Sequence, residues 1–215
     1  MVFGKIEYLN LLPFHIFMKR FLRHPSEQLA MHYYGGVPSA VNQLFLQKKV
    51  DAGFISSIVS KKFPHVELGI VAKKEVLSVL VLPHVATKKD SESATSNVLA
   101  KILNVNGEVI IGDKALKCYL EKTPHVDLAK LWNDTYSLPF VFAVLCYHKD
   151  KKKYKKIEKE FLKTKVKIPQ YLLQKAQQKT GISKKEILHY LQFISYKLDT
   201  KAQKGLKLFL KKASS

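Results

Sequence analysis

The stretch "GGVPSAVNQLFLQKKVDAGFISSIV", Gly35–Val59, decides the fold class. It opens on a glycine turn and sets Pro38 at a helix start with Ser39 behind it, where proline's fixed φ and missing N–H cost nothing. Val37, Val41, Leu44 and Phe45 then recur at helical spacing. "VDAGFISSIV" follows as an apolar strand that turns polar at Ser56 and Ser57. Upstream, residues 2–9 read as a strand, Leu12 to Leu22 as a helix, and "LAMHYYG" as a second strand. Strand, helix, strand, helix, strand predicts an α/β layer with a largely parallel sheet. Ligands of such sheets sit beyond the carboxyl ends of the strands. Asn10, which ends the first strand in "GKIEYLNLLPF", and the pair Ser56–Ser57 lie at such ends.

Downstream, "EVLSVLVLPHVA" is a β-branched run too long for an ordinary strand, broken by Pro83. "DSESATSNVLAKILNV" reads as a helix with a Ser/Thr-rich start, and "EVIIGDKAL" as a strand ending in Gly-Asp before a short helix. "LPFVFAVLCYH" is a second long apolar strand. Two overlong strands around a compact section predict crossovers between two lobes. From Lys149 to the end the pattern is helical, with Pro169 and Gly181 dividing it into three helices. Trp132 and Phe140 are expected in the core.

The formal charge of +20 is the strongest compositional signal, and roughly half of the Lys and Arg residues follow Tyr147. In "HKDKKKYKKIEKEFLKTKVK", however, Tyr154, Ile157, Phe161 and Leu162 keep helical spacing, so the lysines read as a solvated face. No helix-turn-helix, zinc finger or RNA-recognition signature turns this charge into specific nucleic-acid readout. No apolar run reaches the roughly 18–20 residues of a membrane span. Met1 leads into a strand-like segment rather than a signal peptide, and the expected compartment is the cytoplasm. Cys118 and Cys146 are too few for a disulfide scaffold or a zinc cluster. Nothing in the sequence bears on oligomeric state.

Neither a G-x-S-x-G elbow nor a P-loop nor a G-x-G-x-x-G fingerprint occurs, and the histidines are scattered. No metal or other cofactor is therefore expected. What remains is a small-molecule cleft lined by neutral polar groups: Asn10, Ser56, Ser57, Ser78 and the "SESATS" helix start with Ser91, Ser93, Thr95 and Ser96. A helix N-terminus with added hydroxyls can cradle a carboxylate or phosphate. The plainer alternative is that Ser93 or Thr95 only caps the helix. Ser78 can equally be a core hydroxyl bonded to backbone, and Asp113 is expected to cap the helix that follows it.

Together "GKIEYLNLLPF", "GVPSAVNQLFLQKKVDAGFISSI", "SVLVL", "SESATS", "IGDKAL", "DLAKLWNDTYSLPFVFAV" and "ILHYLQFISYKLDTKAQKGLKLF" resemble the chorismate dehydratases of the futalosine route to menaquinone, over nearly the whole chain. The resemblance implies a two-lobed, type II periplasmic-binding-protein-like fold. Lobe one would comprise residues 1–82 plus 142–215, and an inserted, minimal lobe two residues 83–141. It implies a hydro-lyase that takes water from chorismate to give 3-(1-carboxyvinyloxy)benzoate. Asn10 and Ser78 match the family's active-site asparagine and serine, and Ser91–Ser96 its substrate-carboxylate site. The chain is shorter than is usual in that family between Ser96 and "IGD". The alternatives are the naphthoate-forming sister enzyme of the same route and a non-catalytic carboxylate-binding module of the same fold.

Overall fold

The computed structural model describes residues 1–22, 26, 34–83 and 85–214. The chain runs β1 (Phe3–Ile6), a 3-10 turn (Leu9–Leu11), α1 (Leu12–Phe21), β2 (Gly35–Gly36), α2 (Pro38–Leu46), β3 (Ala52–Ser56), α3 (Ser57–Ser60) and β4 (His65–Ala72). Next come β5 (Val79–Leu82), α4 (Ala94–Ile102), β6 (Glu108–Ile111), α5 (Gly112–Leu120), β7 (Val126–Asp127) and α6 (Leu128–Tyr136). Finally come β8 (Phe140–Tyr147), α7 (Lys151–Lys163), α8 (Gln170–Thr180), α9 (Lys184–Tyr190), β9 (Ile194–Lys197) and α10 (Thr200–Lys212).

The described residues form two sheets: a large one in the order β2-β1-β3-β8-β4-β9 and a small one in the order β6-β5-β7. The mixed α/β architecture agrees with expectation, but the large sheet is not mainly parallel. Only the pairings of β1 with β2 and β3 are parallel, while β8 runs antiparallel to both β3 and β4. The reason is connectivity: β4 leads out to the small sheet and β8 leads back, so the returning strand opposes its neighbours. The expected strand "LAMHYYG" lies outside the described residues except for Tyr34 and Gly35.

The run "EVLSVLVLPHVA" is a strand only from Val79 to Leu82. Val76 and Leu77 are buried in the crossing itself, and their N–H groups donate to Asp127 Oδ2 at 2.9 and 2.8 Å. Apolar content there reflects a buried crossing rather than a strand. Val79–Leu82, expected with the larger lobe, pairs with β6 and β7, whereas Phe140 and Val141, expected in the smaller, lie in β8 of the large sheet.

The C-terminal region holds four α-helices rather than three, with a 3-10 turn (Leu191–Phe193) and β9 between the last two. Pro169 does precede α8 and Gly181 ends it with φ 72°. β9 pairs with β4 at the sheet edge. Asp199 Oδ1 then accepts from the N–H of Ala202, starting α10 as a separate helix.

Phe14 of α1 packs edge-on against Phe54 of β3 and Phe161 of α7, at centroid distances of 4.9 and 5.1 Å, which locks both helices onto the large sheet. Trp132 and Phe140 are fully buried as expected, joined by Phe209 of α10. On α7, Tyr154, Ile157 and Phe161 face the core and Lys151, Lys152, Lys156 and Lys159 are exposed, although Leu162 is exposed too. No described helix is long and apolar enough to cross a membrane.

Cys146 lies fully buried in β8, and burial pushes its thiol well above the usual value, whereas Cys118 on α5 is partly exposed. A raised pKa means less thiolate at neutral pH. Native protein should therefore titrate one thiol with Ellman's reagent, and a second only in denaturant. Cys118→Ser should abolish the native reaction; persistence of fast labelling would place Cys146 within reach of solvent.

Candidate active site

Between the two sheets lies a cavity lined by Asn10, Ser56, Ser78, Ser93 and Ser96, with Tyr8 over one side. Five of the eight residues singled out in the sequence thus meet at one place. Four elements hold them, with Ser93 and Ser96 sharing the start of α4.

Asn10 sits in the 3-10 turn after β1, beyond the strand end rather than on it. Its carbonyl accepts from the Tyr196 hydroxyl of β9, so the turn is anchored through backbone. The side chain is left for other work: Oδ1 is buried and has no hydrogen-bond partner among the described residues. A buried, unpaired carboxamide oxygen costs about 1–3 kcal/mol unless a ligand meets it.

Ser56 ends β3. The Asn42 carboxamide of α2 grips it twice: Nδ2 donates to Ser56 Oγ at 2.8 Å, and the Ser56 N–H donates to Oδ1 at 3.0 Å. Ser78 stands where the crossing becomes β5, with Oγ 2.8 Å from the Tyr190 hydroxyl of α9. Burial pushes the Tyr190 phenol up, so it stays a neutral hydroxyl. The plain reading of Ser78 as a core hydroxyl is half met, since it is buried and bonded, but to a side chain and at the cavity wall.

Ser93 is both cap and lining. Its Oγ accepts from the Ser96 N–H at 3.2 Å and donates to Ser96 Oγ at 2.8 Å, which presents the start of α4 to the cavity. Three expected residues are elsewhere. Ser57 is fully buried with its hydroxyl on the Val141 carbonyl at 2.6 Å, because neighbours at a strand end face opposite sides. Thr95 is turned toward α3, where Oγ1 accepts from the Ile58 N–H at 3.3 Å. Ser91, before the helix, is exposed.

Asp113 does not cap α5, whose N-cap is Ile111 without a side-chain bond. Its Oδ1 accepts instead from the Leu9 N–H at 3.2 Å, beside Asn10. Burial raises the Asp113 pKa, partly offset by that bond. Further ties join the two sides of the cavity. The Tyr8 hydroxyl donates to the Glu92 carboxylate, and the Ser39 N–H donates to the Glu92 carbonyl at 3.1 Å. Gly112, at φ +67°, is required here: a Cβ would lie 2.7 Å from the Tyr8 ring. With these ties made the cavity offers about 50 Å³, room for a few waters. A ring-sized ligand enters only if the two sides part.

Among the described residues the lining holds no carboxylate, imidazole or thiol side chain. Acid–base work there falls to hydroxyls, an amide or the ligand itself. No local pattern marks Asn42, Tyr190 or Tyr196, and Tyr8 stands out only as a near neighbour of Asn10 in "EYLN".

Two sheets joined by crossings around a polar cavity define the periplasmic-binding-protein-like class. A protein of Archaeoglobus fulgidus superposes with a TM-score of 0.71 at 11% identity, over 99% of this chain and 96% of that one. A Candida albicans protein described as having the generic periplasmic binding protein fold gives 0.51 at 11% identity, over 99% and 89%. At the level of sequence, the chain belongs to the menaquinone-biosynthesis family, which it matches over residues 1–106 and 104–215. A chorismate dehydratase of Campylobacter jejuni is 46% identical over 98% of this chain and 96% of its own length. One from Thermus thermophilus is 27% identical over 97% and 93%, in an alignment of 260 positions that exceeds this chain's 215 residues. The compact form is thus matched in the first relative, while the second carries additional residues.

Proposed function

We propose that this protein is a cytoplasmic chorismate dehydratase of the futalosine route to menaquinone, converting chorismate to 3-(1-carboxyvinyloxy)benzoate. The observation that carries this reading is the 46% identity, over almost the full length of both chains, to a chorismate dehydratase. The cavity chemistry agrees with it. Elimination breaks a ring C–H bond and the bond to the ring hydroxyl, the proton and hydroxide leave as water, and the ring becomes aromatic. The thermodynamic drive lies in the substrate, so the site has to bind, orient and exclude solvent.

The two sides form two lobes that close on the dianion, with crossings at 73–78 and 137–139. The start of α4, with Ser93 and Ser96, receives a substrate carboxylate through N–H groups and hydroxyls. Asn10 and Ser78 orient the ring and hydrogen-bond to charge that develops on it. With no basic side chain in the described lining, the substrate's own side-chain carboxylate takes the ring proton.

Purified protein without added metal or nucleotide should convert chorismate to a product lighter by one water, identified by mass spectrometry. Saturable binding of chorismate without turnover would favour a carboxylate-binding module instead. A finer outcome separates Ser96 from its neighbour. Ser96→Ala removes one cavity hydroxyl and should weaken substrate affinity about tenfold, in the range of one lost charge-assisted bond. Thr95→Ala, which frees only the Ile58 N–H, should cost stability while leaving affinity within about twofold, since Thr95 makes no part of the lining. Equal losses of affinity in both variants would remove the special place given to Ser96.

A further inference from the structure

Tyr190, the last residue of α9, makes no part of the cavity lining, yet its hydroxyl lies 2.8 Å from the Oγ of Ser78, which does. Both residues are only 2% exposed. The backbone around Ser78 is already fixed. Leu77 before it stands at φ +62°, a left-handed conformation that a bulky side chain keeps only where its surroundings enforce it. Asp127 enforces it, since its Oδ2 accepts from the N–H groups of both Val76 and Leu77. The Ser78 carbonyl in turn accepts from the Gly112 N–H at 2.9 Å. What these bonds leave open is the direction in which the Ser78 hydroxyl points its proton.

We infer that Tyr190 is a positioning residue: its phenol donates to Ser78 Oγ and so commits the Ser78 hydroxyl to donate into the cavity, toward an anionic oxygen of the ligand. A hydroxyl has one proton to give and two lone pairs to receive with. Among the described residues the Tyr190 hydroxyl has no hydrogen-bond partner except Ser78. Were Ser78 the donor, the phenol proton would be buried without an acceptor, and a buried donor left unpaired is the costlier arrangement. With Tyr190 as donor the phenol proton is used, and the Ser78 proton turns to the one side of that residue that is open, the cavity. The incoming bond also polarises the Ser78 O–H and strengthens it as a donor. Burial holds the phenol's pKa up against the Ser78 bond, with Asp113 and Asp127 adding to the rise, so no proton passes along the pair. The direction of the bond follows from the geometry. The identity of the oxygen that Ser78 meets, on chorismate or its departing hydroxyl, rests on the dehydratase reading.

Two comparisons on the full chain test this, one of stability and one of rate. In urea, Ser78→Ala strands the phenol proton and should lower the unfolding midpoint by about 0.5–1 M. Adding Tyr190→Phe removes that proton, so the double variant should be more stable than Ser78→Ala alone. A fold that only the double variant attains is the same result. A double variant no more stable than Ser78→Ala would overturn the inference. In chorismate turnover, Ser78→Ala should lower kcat about 100-fold. Tyr190→Phe should lower it about tenfold with KM within about twofold, as the Ser78 hydroxyl remains but loses its orientation. Because Tyr190 acts through Ser78, the double variant should be no slower than Ser78→Ala, whereas independent losses would multiply to about 1,000-fold. A multiplied loss would likewise overturn the inference. Wild-type protein that leaves chorismate unchanged would instead remove the dehydratase reading, and the urea comparison would then decide the direction of the bond by itself.

Discussion

Replacing Asn10 with aspartate should lower the rate of chorismate dehydration about 100- to 1,000-fold, the usual cost of losing one donor aimed at developing charge. The fold should survive, because Tyr196 anchors the turn through the Asn10 carbonyl and not through its side chain. What changes is the group in the cavity. The carboxamide there has a buried Oδ1 without a partner among the described residues. Aspartate keeps its shape but exchanges the amide donor for negative charge beside a dianionic substrate, so binding should weaken by repulsion as well. Asn10→Ser is the milder control, since it removes the amide without adding charge. Rates are followed by product formation, with thermal unfolding to verify the fold. Near wild-type turnover in both folded variants would reduce Asn10 to a turn residue and remove the centre of the proposed mechanism.

How much of this site could be read from the chain depends on what kind of contact builds it. Asn10, Ser56, Ser93 and Ser96 were legible because each follows a strand or opens a helix, and local pattern locates such positions. Ser57 reads like Ser56 because both are hydroxyls at one strand end. The alternation of side chains across a strand separates them, and it acts only once the register is known. Tyr190 and Tyr196 were not legible, since their bonds to Ser78 and Asn10 span 112 and 186 residues of sequence. No local rule reaches that far. Asp113 shows the same limit: a carboxylate in the first turn of a helix reads as a local cap, yet its partner is Leu9, 104 residues away.

The fold divides along similar lines. Pro38 and the spacing of Val41, Leu44 and Phe45 located α2 well, and the unbroken apolar run located β8. β4 escaped because its outward positions near the start carry His65 and Glu67, both exposed, so its first half lacks a strand's apolar run. β9 escaped because four residues between two amphipathic helices are too few to break a helical pattern. Asp199 was the available sign, as an N-cap announces a new helix and hence an interruption before it. The crossing at Val76 and Leu77 misled for a different reason. Apolar residues mark burial, and burial is not confined to strands.

The second large effect is expected at Asn42, a residue that never enters the chemistry. Asn42 and Ser56 are 6% and 5% exposed, and water cannot readily replace the two bonds between them. Asn42→Ala leaves the Ser56 N–H and hydroxyl buried without their partner, at about 1–3 kcal/mol for each group, or about 2–6 kcal/mol in total. Against a typical stability of about 5–15 kcal/mol this is a large share. Urea unfolding should show the midpoint falling with the slope unchanged. Asn42→Leu separates volume from hydrogen bonding, since it fills most of the space yet restores neither bond, and should be destabilised nearly as much. Adding Ser56→Ala to Asn42→Ala removes the stranded hydroxyl and should recover part of the loss. The rest should persist, because no substitution at position 56 short of proline removes its backbone N–H. A loss below about 1 kcal/mol in both single variants would mean that the Asn42 grip holds nothing the sheet does not already hold. Ser56 would then owe its place at the cavity to β3 alone.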